Sequence, residues 1–495
     1  MKSILAIDQG TTSTRALIID ANGQVAARAQ VELPQSYPRP GWVEHDPETI
    51  WRDVVMTGSQ ALAEAEARGL NVAAIGIANQ RETFVLWDRS SGKPVHPAIV
   101  WQDRRGADLC DKFASEGLEE EVCAISGLVL DSYFSASKLA WLLDTMPGLR
   151  QNAEDGKIAF GTIDCYLLWR LTRGRVHATD PTNAARTLLF DIARMDWSDD
   201  LCRLFGVPRA ILPQVRDNDA QFGVADASVL GKAIPVMGMA GDQQAALIGQ
   251  GCLSPGRVKI TYGTGAFGLM HTGESISRSR HRLLSTVAYR AEGRTCYALE
   301  GSIFVAGAGV QWLRDRLGII ATAEETEALA RSLPGNDGVY LVPAFAGLGT
   351  PHWDSAARAL LCGMTLGTGA AHVARALLEA VAYQSEELVG AMRADSGLRA
   401  DLIRIDGGMA QNDWLCQFLA DVLALPISRP ANVESTALGA AFLAGTSAGI
   451  WSSLAKVPAP DHDADFEPTL DQSDRACLLG GWRDAVARAR HPAYQ

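Results

Sequence analysis

Two short segments of this chain carry the residue types that hold an anion. The first runs Ile4-Leu5-Ala6-Ile7-Asp8-Gln9-Gly10-Thr11-Thr12-Ser13-Thr14-Arg15 and continues apolar to Asp20. An apolar run ends in a carboxylate, a glycine turn rich in hydroxyls follows, and a second apolar run leaves it. That is the pattern of a strand, a tight turn and a returning strand. Gly10 permits backbone shapes that other residues resist. The turn amides and the hydroxyls of Thr11, Thr12 and Ser13 can converge on one anion. Asp8 closes the strand where a carboxylate can hold a metal ion through water. A plain hairpin with a polar tip has the same local pattern. The second segment, residues 258–270, repeats it, with Tyr262-Gly263-Thr264-Gly265 at the turn and Phe267 on the returning run. The two lie about half a chain apart, which points to an internal duplication, although they share little outside the turns.

The elements that must position these turns alternate between strand and helix. An amphipathic helix is expected over 51–68, strands over 72–78 and 83–87 with Asn79-Gln80-Arg81-Glu82 on the turn between them, and a short buried strand over 98–101. A helix over 135–146 stops at Pro147-Gly148, and a strand over 234–240 delivers Gly241-Asp242-Gln243-Gln244 to a helix start. The segment 249–255, rich in glycine, serine and proline, is the expected domain boundary. A long helix is expected over 371–393, a strand over 402–405 ending in Asp406-Gly407-Gly408, a helix over 412–423, and a surface loop over 457–468 before a final helix.

Composition bounds the class. A chain of 495 residues is too long for one core, and 47% hydrophobic residues with 21% charged ones fit a soluble protein of two or three domains. A net charge of −12 argues against a nucleic-acid surface. No run is long enough for a membrane span, and the first nine residues lack the form of a signal peptide. Nine scattered cysteines without a CxxC pair fit reduced thiols in a cytoplasm.

Several further motifs occur in one order: Pro40-Gly41-Trp42, Asn79-Gln80-Arg81-Glu82-Thr83, Trp101-Gln102, the run from Tyr133 through Lys138 to Trp141, Gly241-Asp242-Gln243-Gln244, and Gly363 followed by His372 to Glu379. On these motifs the chain resembles the glycerol kinases of the FGGY carbohydrate kinase family from about Leu5 to Gly445. The resemblance implies an α/β fold of two actin-like (ribonuclease H-like) ATPase domains around a central cleft, over residues 1–252 and 253–495. Glycerol would sit mostly on the first and ATP mostly on the second. The implied activity is ATP-dependent phosphorylation of glycerol with Mg2+, or of another small polyol or sugar. The expected partners are glycerol, ATP and further copies of the chain, as a homodimer or homotetramer.

Glycerol needs a hydrogen-bond partner for each oxygen and an apolar wall for its carbon edge. Arg81 and Glu82 supply a donor fork and an acceptor, Asp242 and Gln243 an acceptor and a two-way amide, and Tyr133 a hydroxyl. Trp101 and Phe267 are the candidate walls. The resemblance assigns glycerol to Arg81, Glu82, Tyr133, Asp242 and Gln243. An isolated Arg-Glu pair would read as a surface ion pair of small value. Asp242, after a strand and near a helix start, is the candidate general base, and helix capping is its ordinary alternative. Asp8 is left for the magnesium shell. By resemblance, Thr11, Thr12, Ser13, Arg15 and Thr264 meet phosphates, while Gly307, Gln311, Gly408 and Asn412 flank the nucleoside.

Other classes fit less well. Gly263-Thr264-Gly265-Ala266-Phe267-Gly268 matches GxGxxG, but a dinucleotide fingerprint opens a helix, and here an apolar strand-like run follows. A Walker A pattern is absent. A non-catalytic actin-like ATPase does not need the polar set around Arg81, Tyr133 and Asp242. Some bacterial glycerol kinases bind fructose 1,6-bisphosphate through a glycine-rich loop bearing an arginine. The matching stretch, Ala227 to Pro235, has one glycine, Lys232 and no arginine, so no such inhibition is expected.

Overall fold

The computed structural model describes residues 2–490 except 346, 355, 432, 433, 460 and 461. Two mixed sheets dominate it. The first contains β1 (Lys2–Gln9), β2 (Ser13–Asp20), β3 (Val25–Glu32), β4 (Asn71–Asn79), β5 (Gly223–Ala225) and β6 (Ile234–Gly241), in the order β5-β6-β4-β1-β2-β3. The second contains β7 (Val258–Tyr262), β8 (Ala266–Gly273), β9 (Leu284–Ala291), β10 (Arg294–Ile303), β11 (Ile403–Asp406), β12 (Ile427–Pro430) and β13 (His462–Phe466), in the order β9-β10-β8-β7-β11-β12-β13. Both are built alike. An antiparallel hairpin, β1–β2 or β7–β8, is joined on its first strand by two parallel strands, β4 and β6 or β11 and β12. The duplication that the two glycine turns hinted at is therefore a shared topology. In the first sheet the parallel strands β4 and β6 are buried along most of their length and read as nearly unbroken apolar runs, whereas β11 and β12 carry Arg404 and Arg429.

The helices set the site from behind. α1 (Pro47–Ala67) starts earlier than periodicity indicates, because Asp46 caps it and Pro47 occupies its first turn. α2 (Asp242–Gly249) leaves β6, α3 (Ala370–Ser396) backs the second sheet, and α4 (Asp413–Leu423) is capped by Asn412. α5 (Ser435–Ser447) crosses back to pack on α2, β4, β6 and β1, so a helix from the second half covers the first sheet. Gly249 and Gly439 make that crossing close: a Cβ on either would strike the backbone of the other helix. One expectation fails here. The stretch 457–468 is not all surface loop, because β13 lies within it and pairs antiparallel with β12 as the sheet edge. Acidic residues and a nearby proline hide such edge strands from pattern reading.

A buried polar hub ties the end of β4 to the start of α2. Asp180 caps a short helix, Pro181–Ala184, accepting from the Thr182 amide at 2.8 Å. In that helix Asn183 exchanges amide hydrogen bonds with Asn79 at 2.9 and 3.0 Å, and Thr182 Oγ1 accepts from the Gly241 amide at 2.9 Å. The residues just before Arg81 and Asp242 are thus held by one element. Asp164, alongside, accepts from Thr179 Oγ1 at 2.6 Å. Burial, reinforced by Asp180, pushes the Asp164 carboxyl up to about 7. A carboxyl raised by folding contributes stability that is present below its ordinary value near 3.8 and is lost as pH rises towards 7. Asp164→Asn should therefore gain melting temperature relative to the native chain as pH rises from about 5 to 8. A difference in Tm independent of pH would refute this account of Asp164.

Candidate active site

The turn after β4 places Arg81 and Glu82 in the protein interior, at 3% and 1% exposure, so they are not a surface ion pair. Glu82 has a left-handed backbone, φ 61°, a shape that a non-glycine residue keeps only where its surroundings hold it. The surroundings are other charges. Arg81 grips Glu300 with both terminal nitrogens, at 2.7 and 2.8 Å. Arg186 reaches both oxygens of Glu300 at 3.2 Å and gives its Nε to Glu82 at 2.6 Å. Arg81 Nε lies 3.2 Å from Asp242 Oδ1. The fork expected to face substrate is thus directed at Glu300, on β10. Burial alone would raise the Glu300 carboxyl, but Arg186 and Arg81 hold it down at about 2, so it stays ionised.

Asp242 is the first residue of α2, and Gly241 is the capping residue, so the capping alternative does not hold. Its Oδ1 accepts from the Gln243 amide at 2.6 Å, while Oδ2 has no protein partner among the described residues. Burial raises its proton affinity, opposed by Arg81 and Lys259. Trp101 stands edge-on to Tyr133 at 5.4 Å and to Phe267 at 6.3 Å between ring centres, so the two expected walls meet. Trp101 Nε1 also donates to Thr11 Oγ1 at 3.0 Å, joining the wall to the first hairpin. Burial, with Glu82 reinforcing it, pushes the Tyr133 hydroxyl above its usual range, so it remains a protonated donor.

The first hairpin turn is closed by the Gly10 amide donating to Ser13 O at 2.9 Å, the second by Gly263 to Gly265 O at 2.8 Å. Asp8 is nearly buried. Burial pushes its carboxyl up to about 7, opposed by Arg15 and reinforced by the Asp242 and Glu434 charges. Arg15 gives one nitrogen to Glu434 at 3.0 Å, so this expected phosphate contact is engaged within the protein. Thr264, Gly307, Gln311, Gly408 and Asn412 line one cavity of about 350 Å3 beside the second hairpin. Asn412 spends its amide on capping α4 and on Thr326. A Cβ on Gly307 would come within 2.6 Å of Gly263 O, so packing requires glycine there. A Cβ on Gly408 would meet no protein atom within 4 Å. Among the described residues no acidic, histidine or cysteine cluster forms a ready metal cage.

Sequence reading missed Glu300, Arg186 and Lys259. Each is a charge within an apolar or small-residue run, as in Tyr297-Ala298-Leu299-Glu300-Gly301, and such isolation was the available signal.

Comparison with known proteins agrees with this geometry. Models of the FGGY family of carbohydrate kinases match the chain, the N-terminal domain over residues 3–249 and the C-terminal domain over 258–448. The chain belongs to the FGGY family of carbohydrate kinases. It is 58% identical to a glycerol kinase of Rhodospirillum centenum, over 99% of this chain and 98% of the relative. It is 55% identical to a glycerol kinase of Alcanivorax borkumensis, over 99% and 98%. The crystal structure of Plasmodium falciparum glycerol kinase with ADP superposes with a TM-score of 0.95 at 37% identity, over 99% of this chain and 98% of that one. A xylulose kinase from Rhodospirillum rubrum, at 24% identity and a TM-score of 0.87 over 98% of each chain, shares the fold. The family's two-domain, actin-like architecture is the one described above.

If Gly408 is a glycine because a ligand needs the space, Gly408→Val should raise the ATP KM by about tenfold or more. The glycerol KM should stay within about twofold, with Tm unchanged. A fall in Tm with both KM values intact would assign Gly408 to folding alone.

Proposed function

We propose that the chain phosphorylates glycerol, using ATP, to give sn-glycerol 3-phosphate and ADP. The observation that carries this reading is Asp242. One of its oxygens is tied down by Arg81 and Gln243, the other has no protein partner among the described residues, and its charge acts on Asp8 at the first glycine hairpin. Relatives named glycerol kinase over nearly their whole length support the choice of glycerol among polyols.

In this reading the primary hydroxyl of glycerol lies between Asp242 Oδ2 and Gln243. Its oxygen attacks the γ-phosphorus, the bond from that phosphorus to the β-phosphate oxygen breaks, and Asp242 takes the hydroxyl proton. Arg81 keeps Asp242 oriented, while Trp101 and Phe267 hold the carbon edge. Thr11, Thr12, Ser13 and Thr264 present hydroxyls to the phosphates, and the cavity at Gly408 takes the nucleoside. The donor set fits a magnesium ion: Asp8 is a nearly buried carboxyl on which the Asp242 and Glu434 charges act together, with Arg15 opposing them. Mg2+ bound with ATP would neutralise the phosphates and draw Asp8 to full ionisation. Nine free cysteines support a reducing, cytoplasmic setting.

An ATP-coupled panel of polyols and sugars tests the reading, with glycerol expected to give the highest kcat/KM. Asp242→Asn, which keeps the shape and removes the base, should lower kcat by roughly 10²–10⁴-fold. Turnover like that of the native chain would remove Asp242 from the role. The stretch matching the bisphosphate loop is a short helix, Ala227–Leu230, ended by left-handed Gly231, and its Lys232 lies 3.5 Å from Glu66. Fructose 1,6-bisphosphate at millimolar levels should leave the rate unchanged. A saturable inhibition not produced by inorganic phosphate would show a site elsewhere.

A further inference from the structure

Lys259, on β7, is completely buried, yet its ammonium donates at 2.7 Å to a neutral group, Gln243 Oε1. Buried ammonium groups ordinarily lie against carboxylates, because removal from water is otherwise poorly compensated. The charges facing Lys259 are Asp406, Asp242 and Glu300, which attract it, and Arg81, which repels it. Each carboxylate is engaged elsewhere. Asp406 accepts from Gln250 Nε2 at 2.6 Å and from Thr261, Glu300 is gripped by two arginines, and Asp242 Oδ1 serves Arg81 and the Gln243 amide. The nearest hydrogen bond of this buried cation therefore goes to one end of a side-chain amide.

An ammonium has three donors and no acceptor, whereas an amide has one accepting and one donating end. Turning Gln243 over would set NH2 against NH3+ in the interior. We propose that Lys259 is a positioning residue that fixes the polarity of Gln243, so that the amide offers its NH2 to the substrate hydroxyl beside Asp242. Gln243 Nε2 has no protein partner among the described residues, and neither has Asp242 Oδ2. Together they are an unengaged donor and an unengaged acceptor on adjacent residues at the start of α2. A hydroxyl satisfies both, donating to Oδ2 and accepting from Nε2, which aims its proton at the base. An ether or ketone oxygen cannot donate, and a protonated amine cannot accept. The pair thus selects a hydroxyl at the reacting carbon.

This proposal rests on the reading of the cleft as a glycerol site. Calorimetric titration of glycerol into the native chain tests that reading, since no binding there would sink it whatever the variants do. Given binding, Lys259→Met and Gln243→Met should each weaken glycerol by about tenfold, the effect of one lost hydrogen bond in a closed pocket. The double variant should be no weaker than either single one, and the ATP KM should stay within about twofold. Additive losses, native-like affinity in Lys259→Met, or a larger effect on ATP than on glycerol would overturn the proposal. Gln243→Glu keeps a partner for Lys259 but presents only acceptors. It should lose glycerol binding by more than tenfold, and native-like affinity would overturn the proposal even if Lys259→Met does not fold.

Discussion

The surroundings of Asp242 depend on a chain of charges in which Glu82, Arg186, Glu300 and Arg81 are buried and Asp242 is the part-exposed end. Removing one such group from water is strongly unfavourable, and the loss is recovered only when every member has well-placed partners. Here each does. Glu300 anchors two guanidinium groups, one arginine secures Glu82 in a left-handed backbone, and the other orients Asp242. Because Glu300 belongs to the second sheet and the other members to the first half of the chain, the network also joins the two halves. A pocket held this way is arranged before substrate arrives, which favours orientation over adaptation.

The two glycine hairpins and the cavity beside the second follow a different principle. There the protein contributes backbone: two glycine hairpins of the same topology and a cavity into which Gly408 opens. Polyanion binding at turns needs amides, hydroxyls and space more than it needs fixed cations. Arg15 agrees with this, since its charge is already matched by Glu434. The close crossing of α2 and α5 through Gly249 and Gly439 carries the second half back onto the first sheet. Movement about the segment joining the halves must therefore respect a tightly packed helix pair.

Much of this was legible from sequence, for identifiable reasons. The hairpin turns, the strand that delivers Asp242 and the glycines around the cavity beside the second hairpin are local features. Turn chemistry and hydrophobic period are set by residues a few positions apart, so Gly10, Thr264 and Asp242 could be placed from their neighbours alone. The family resemblance then extended these local readings to the whole cleft. The edge strand over His462–Phe466 escaped because its pairing partner lies far back in the chain and its composition is that of a loop.

What only the tertiary structure decided is which charge meets which. Arg81 and Glu82 are adjacent in sequence, yet their Nε–Oε1 separation is 3.9 Å and their closest partners are Glu300 and Arg186, more than a hundred residues away. Lys259 looks like any lysine in a strand until its ammonium is found against Gln243. A single sequence lists donors and acceptors, but the pairing of buried charges is a three-dimensional constraint: each must find its partner wherever the fold brings one, because the interior offers no water in its place.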